Sequence, residues 1–247
     1  MAFDRVRRSA AHRVGTFLRG HGYQIQKIDP KWPLRRPTDP VNLEVLADIG
    51  FQSSLIACGS YTLLDTARLA NLWQLSRTAN PDGNVVEVGT YRGGSALHLS
   101  NARPQSPLFV CDTFNGFPRL DPQLDSLFDR EMFIDTSRES VEQLLCEPGR
   151  LVTVVAGEFP KSVSEIRLDE IAFAHVDVDT WQGTIETLNY LGARMARRSL
   201  IVVGDYLRGA NGVTAAVSEF VEAHTGWVAL PLWPGQGLLI HPSWVTN

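Results

Sequence analysis

The stretch NVVEVGTYRGGSALHLSNA, residues 84 to 102, sets the architecture of this chain. NVVEV is short, apolar and β-branched, as a strand buried on both faces requires. Gly89 permits a tight turn directly after it, Gly93 and Gly94 let backbone come close to a ligand, and a helix with free N–H groups begins near Ser95. Strand, glycine turn and helix together are one unit of a parallel α/β sheet.

Working outward, the unit repeats. PLFVCD, LVTVVAG, IAFAHVDVD and SLIVVGD are further apolar runs. The helical stretches that alternate with the strands are SALHLSNA, SRESVEQLLCE, a short FPKSVSEI, GTIETLNYLGARMA and VTAAVSEFVEAH. Upstream, Tyr61 to Thr78 reads as a buried helix closed by PDG. At the end, GWVALPLW and PGQGLLIHP form two more strands joined by a turn. The sum is a seven-stranded, mostly parallel, doubly wound sheet with helices on both faces and a C-terminal antiparallel hairpin at its edge.

Before the sheet lies a different composition. Residues 3 to 20 read as a basic helix, and DPKWPLRRPTDP (29–40) carries four prolines that favour an extended connector. We divide the chain into an N-terminal helical arm, residues 1–60, serving as a lid, dimer or acceptor contact, and a catalytic domain, residues 61–247. The arm's first 40 residues hold nine Lys/Arg against three Asp/Glu, whereas the whole 247-residue chain has a net charge of −4. The basic character is local, so a nucleic-acid partner is not expected. Three dispersed cysteines, Cys58, Cys111 and Cys146, and the lack of a signal-like or 18-residue apolar run point to a cytoplasmic protein without membrane contact.

In doubly wound sheets ligands bind outside the carboxyl ends of the strands, and every unusual residue here falls there. The glycine loop Gly89, Thr90, Tyr91 lacks the GxGxxG of a dinucleotide site; its ExGxxxG spacing from Glu87 to Gly93 suits a ligand with a carboxylate and no pyrophosphate, such as the methionine part of S-adenosylmethionine. Asp112, followed by Thr113, ends the second strand, where a carboxylate either accepts ribose hydroxyls or caps the next turn. Gly157, Glu158 and Phe159 end the third, leaving room for an adenine ring.

The fourth strand ends in HVDVDTW (175–181). Alternation places His175, Asp177 and Asp179 on one edge, and VVGDY brings Asp205 next to them. Unpaired carboxylates are costly to bury, so they are solvated, share a proton or face a cation. Asp177 and Asp205 could converge on Mg²⁺ while Asp179 accepts a proton; turn capping is the plain alternative. His175, deeper in the strand, is either an orienting partner or the base, and Trp181 and Tyr206 could wall an acceptor pocket or be core.

These motifs resemble the macrocin O-methyltransferase family of class I S-adenosylmethionine-dependent enzymes, through VVEVGTYRGGSA, DTFNGFP, HVDVDTWQGTIETLNYL, the GDY of the fifth strand, GVTAAVSEFV and PGQGLLI, across residues 60 to 241. The resemblance implies a Rossmann-like class I methyltransferase fold and methylation of sugar hydroxyls on glycosides, oligosaccharides or glycosylated natural products. It further implies a cofactor site at Glu87, Gly89, Ser95 and Asp112, Mg²⁺ on Asp177 and Asp205, Asp179 as general base, and a homodimer. One position departs: where the family carries Asp-Asp-Tyr, this chain has Gly204-Asp205-Tyr206. The lost carboxylate weakens the metal, leaves a water in its place, or makes the metal dispensable. A metal-independent methyltransferase and a non-catalytic partner protein of the same fold are the rival readings.

Overall fold

The computed structural model describes residues 43–209 and 211–244; the expected basic helix and proline-rich connector lie outside them. Strands β1 (Asn84–Val88), β2 (Leu108–Asp112), β3 (Val152–Ala156), β4 (Ile171–Val176), β5 (Met195–Val203), β6 (Val228–Leu232) and β7 (Gln236–Ile240) form one sheet of order β3-β2-β1-β4-β5-β7-β6. The first five pair in parallel, and β7 is antiparallel to both β5 and β6. The hairpin therefore folds back into the sheet, so that the antiparallel strand is β7 and the outermost is β6. The chain order reverses between β1 and β4, and the carboxyl ends of those two strands open the crevice where such sheets hold ligands.

Alternation along the strands sorts side chains between two apolar layers. One face buries Val85, Phe173 and Val202 under α1 (Leu43–Ala47), α2 (Ile49–Cys58), α3 (Thr66–Thr78), α4 (Gly94–Ala102) and α5 (Arg138–Leu145). The other buries Val86, Ala174 and Ile201 under α6 (Trp181–Gly192) and α7 (Asn211–Ala223). Fully buried Phe51, Leu72, Phe173 and Phe220 each contribute about 1.5–3 kcal/mol of transfer free energy. Phe51, Leu55 and Cys58 belong to the same cluster as Leu72 and Trp73, so the packed domain reaches back past the expected division at residue 60.

Several boundaries differ from expectation for local reasons. Helix α3 begins at Thr66 and not Tyr61 because the Asp65 carboxylate caps it, accepting from the Arg68 N–H at 2.9 Å. FPKSVSEI yields only a single 3₁₀ turn, Lys161–Val163. Strand β4 stops at Val176, so the period-two alternation does not reach Asp177 and Asp179; Asp179 sits in left-handed backbone, φ 61°, and Thr180 caps α6 just beyond it. No helix among the described residues is long and apolar enough to cross a membrane.

Candidate active site

The loop after β1 is held from three sides. Gly89, φ 85°, packs so closely on the Asp177 carbonyl that a β-carbon there would collide with it. Asp112 accepts from the Thr90 and Tyr91 N–H groups through one oxygen, at 2.8 and 2.9 Å, and from the Phe114 N–H through the other, at 2.8 Å. Asp112 thus caps its own turn and pins the glycine loop. With about four acceptor positions on a carboxylate, roughly one remains for a ligand hydroxyl. Gly93 departs from expectation: in left-handed backbone at the start of α4, it faces Val141 and Leu144 of α5 and serves helix packing.

Beneath the loop, Glu87 and His175 are register partners on adjacent strands and both are fully buried. Glu87 accepts from His175 Nδ1 at 2.7 Å and from the Thr90 hydroxyl at 2.6 Å. Burial alone would lower the affinity of His175 for a proton, but the hydrogen bond and charge of Glu87, with Asp177, outweigh it and raise the pKa. His175 does not line the cleft above: the structure places it beneath the loop, bonded to Glu87, which in turn accepts from Thr90 at the cleft wall.

The cleft has a volume of about 210 Å³ and is lined by Gly89, Thr90, Tyr91 and Ser95, by Asp112 and Thr113, by Gly157, Glu158 and Phe159, and by Asp177, Asp179 and Asp205. Five strand ends therefore bring twelve of the anticipated residues to one cavity. Glu158 is ion-paired to Arg119, which also binds Glu186, and lies 3.2 Å from Lys161. Trp181 and Tyr206 do not line it: the Trp181 indole donates to Glu219 at 3.3 Å, and Tyr206 packs over Gly237.

Three phenylalanines that extend from the anticipated Tyr91, and one arginine, line the cleft without having been anticipated. Tyr91, Phe117, Phe128 and Phe133 form a chain of edge-on ring contacts with centroids 5.3 to 5.7 Å apart. A signal was present, since four phenylalanines crowd residues 114–133 outside any helix or strand. The arginine is Arg68, buried in the first turn of α3 and lining the cleft beside Asp177, Asp179 and Asp205. A lone arginine inside an apolar helix gave no cue to this role.

At that acidic end, burial and the charges of Asp177 and Asp205 push the Asp179 carboxyl well above the usual carboxylate range, with Arg68 opposing. The Asp177 carboxyl is raised by burial, a shift that His175 opposes, Asp205 adds to and Arg68 opposes again. Asp205, in left-handed backbone, lies 3.6 Å from Arg68 Nη1 and 3.4 Å from Arg208 Nη1. Gly204 cannot supply the missing carboxylate, and its Cα lies against the Asp177 carboxylate, which a β-carbon there would strike. Among the described residues no three His, Cys, Asp or Glu are grouped to hold a metal ion. Asp177 and Asp205 therefore do not fit the expected Mg²⁺ pair: one is turned onto Gly204 and the other is shared between two guanidiniums.

Comparison with known proteins bears on this cleft. A family model described as macrocin-O-methyltransferase matches residues 56–230. An 8-demethyl-8-(2,3-dimethoxy-alpha-L-rhamnosyl)-tetracenomycin-C 4'-O-methyltransferase from Streptomyces olivaceus is 23% identical over 197 residues, covering 68% of this chain and 75% of its own. A demethyldecarbamoylnovobiocin O-methyltransferase from Streptomyces niveus is 25% identical over 170 residues, covering 60% of this chain and 63% of its own. Among solved structures, the O-methyltransferase NovP superposes with a TM-score of 0.63 at 22% identity, over 73% of this chain and 82% of that one. Calicheamicin methyltransferase CalS11 superposes with a TM-score of 0.57 at 17% identity, over 82% and 87%.

Proposed function

The chain belongs to the macrocin O-methyltransferase family, and from that membership we propose that this S-adenosylmethionine-dependent O-methyltransferase methylates a sugar hydroxyl on a glycosylated small molecule. The observation that carries the reading is the position of Asp179, which lines the same cleft as the Gly89 turn and Asp112.

S-adenosylmethionine, once bound, supplies an electrophilic methyl on a sulfonium. The Gly89 loop and the start of α4 would hold the methionine part, whose carboxylate the N-terminal N–H groups of the helix would favour. Asp112 would take one ribose hydroxyl, and Gly157 and Phe159, which line the same cleft, would flank the adenine. The acceptor hydroxyl lies beside Asp179. As the oxygen–methyl bond forms and the methyl–sulfur bond breaks, the hydroxyl proton passes to the Asp179 carboxylate, leaving a methyl ether, S-adenosylhomocysteine and a neutral acid. A carboxyl with raised proton affinity is the stronger base for this step, and positioned proton transfer contributes about 10²–10⁴-fold. Alignment of oxygen, methyl and sulfur supplies on the order of 7 kcal/mol more.

Tyr91, Phe117, Phe128 and Phe133 give the cleft an apolar wall suited to the flat face of an aglycone or a deoxysugar. The relatives named above act, by their names, on a rhamnosyl tetracenomycin and on a demethyldecarbamoylnovobiocin, which supports glycosides of this kind as acceptors. The test is release of S-adenosylhomocysteine over a panel of aryl deoxyhexosides, hexosides and catechols. Release with glycosides and not with catechols supports the reading; release with catechols alone sinks it.

A further inference from the structure

We propose that the Arg68 guanidinium is the resident cation of the acidic end of the cleft, standing where the family resemblance puts a divalent metal, and that the protein binds no metal there. Its catalytic consequence, methyl transfer without metal, rests on the function proposed above; the assignment of the cation does not.

Arg68 is held as a fixed fork. Its backbone N–H and Nε both donate to Asp65, at 2.9 and 3.2 Å, and Nη2 donates to the Leu63 carbonyl at 3.1 Å. That leaves Nη1 directed to Asp205 at 3.6 Å. The side chain is 10% exposed, and a guanidinium stays charged at such a depth only where anions face it. Asp205 faces it directly, and its charge is felt at Asp177 and Asp179.

The carboxylates match this single positive charge and not a dication. Gly204 removes one hard oxygen donor from the strand-five pair, and the Asp177 carboxylate occupies the space beside it. The remaining donor, Asp205, is shared with Arg208 at 3.4 Å. A divalent ion between Asp177 and Asp205 would stand beside a fixed guanidinium, and a dication and a monocation held that close repel each other. Arg68 thus acts as a positioning residue: it holds Asp205 and balances the carboxylates without drawing the proton acceptor, Asp179, into coordination.

The probe is Mn²⁺, titrated by electron paramagnetic resonance into the full-length protein in the presence of S-adenosylhomocysteine. Wild type should leave Mn²⁺ free up to about 1 mM, the weak end of protein sites for hard cations. Arg68→Gln, which keeps hydrogen-bonding capacity and loses the charge, should gain one site at least about tenfold tighter. Arg68→Lys should remain free of Mn²⁺, and it stands in for the glutamine variant as the charge control if that one does not fold. Stoichiometric Mn²⁺ binding by wild type, binding by Arg68→Lys, or a folded Arg68→Gln with no gained site would each overturn the assignment. Calorimetric binding of S-adenosylhomocysteine to wild type is read in parallel: its absence would sink the proposed function while leaving the Mn²⁺ result to decide the cation.

Discussion

The carboxylate of Asp177 lies against Gly204, in the space that a β-carbon at residue 204 would occupy. The two neighbours, each one residue past the ends of strands β4 and β5, are therefore matched: the bare glycine is what lets Asp177 fold inward at the strand end. Gly204→Ala forces the carboxylate to move or the strands to part, and overpacking of this kind costs about 1–3 kcal/mol. Urea denaturation should show that loss. An alanine variant as stable as wild type would mean that Asp177 rotates away freely.

Asp179→Asn keeps the shape of the side chain and removes the proton acceptor. We expect turnover to fall by about 10²–10⁴-fold with S-adenosylhomocysteine affinity unchanged. Steady-state kinetics beside calorimetry separate the two quantities, and near wild-type turnover would remove Asp179 from the mechanism.

His175→Phe tests whether the imidazole is architecture or chemistry. It leaves Glu87 buried without its partner at 2.7 Å, and breaking a buried ion pair from one side costs about 3–5 kcal/mol. The expected signature is a large drop in unfolding free energy. If stability held and only turnover collapsed, His175 would be acting on the substrate.

A second buried histidine governs acid stability. His98 accepts from or donates to the Ser54 hydroxyl at 2.8 Å and meets the Leu69 carbonyl at 3.1 Å, and burial pushes its pKa down to about 4 from 6.5. Between those values the unfolded chain binds the proton and the folded one does not, so stability is complete above pH 6.5 and declines as pH falls towards 4. The loss is on the order of 3 kcal/mol. In His98→Phe the decline over that window should shrink; an unchanged profile would assign it to other groups.

The alternation of strands and helices was legible because apolar runs and helical periods repeat from residue 84 onward, and twelve cleft residues followed from the rule that strand ends carry the site. Two features escaped for physical reasons. The strand pattern in HVDVD continues past Val176 in sequence, yet the backbone leaves the sheet and turns left-handed at Asp179, so side-chain direction there is set by a loop. Arg68 looked like an ordinary helix residue, because its role depends on Asp205, a partner 137 positions away that no local pattern reveals.

Methyl transfer to a sugar oxygen at this cleft can be followed by tracing label from S-adenosylmethionine with a deuterated methyl group into a panel of aryl deoxyhexosides and hexosides, in EDTA. We predict a labelled product whose fragmentation places the methyl on the sugar, formed about 10²–10⁴-fold more slowly with Asp179→Asn. Label on the aglycone, or no labelled product from any glycoside while S-adenosylhomocysteine binds, would contradict it.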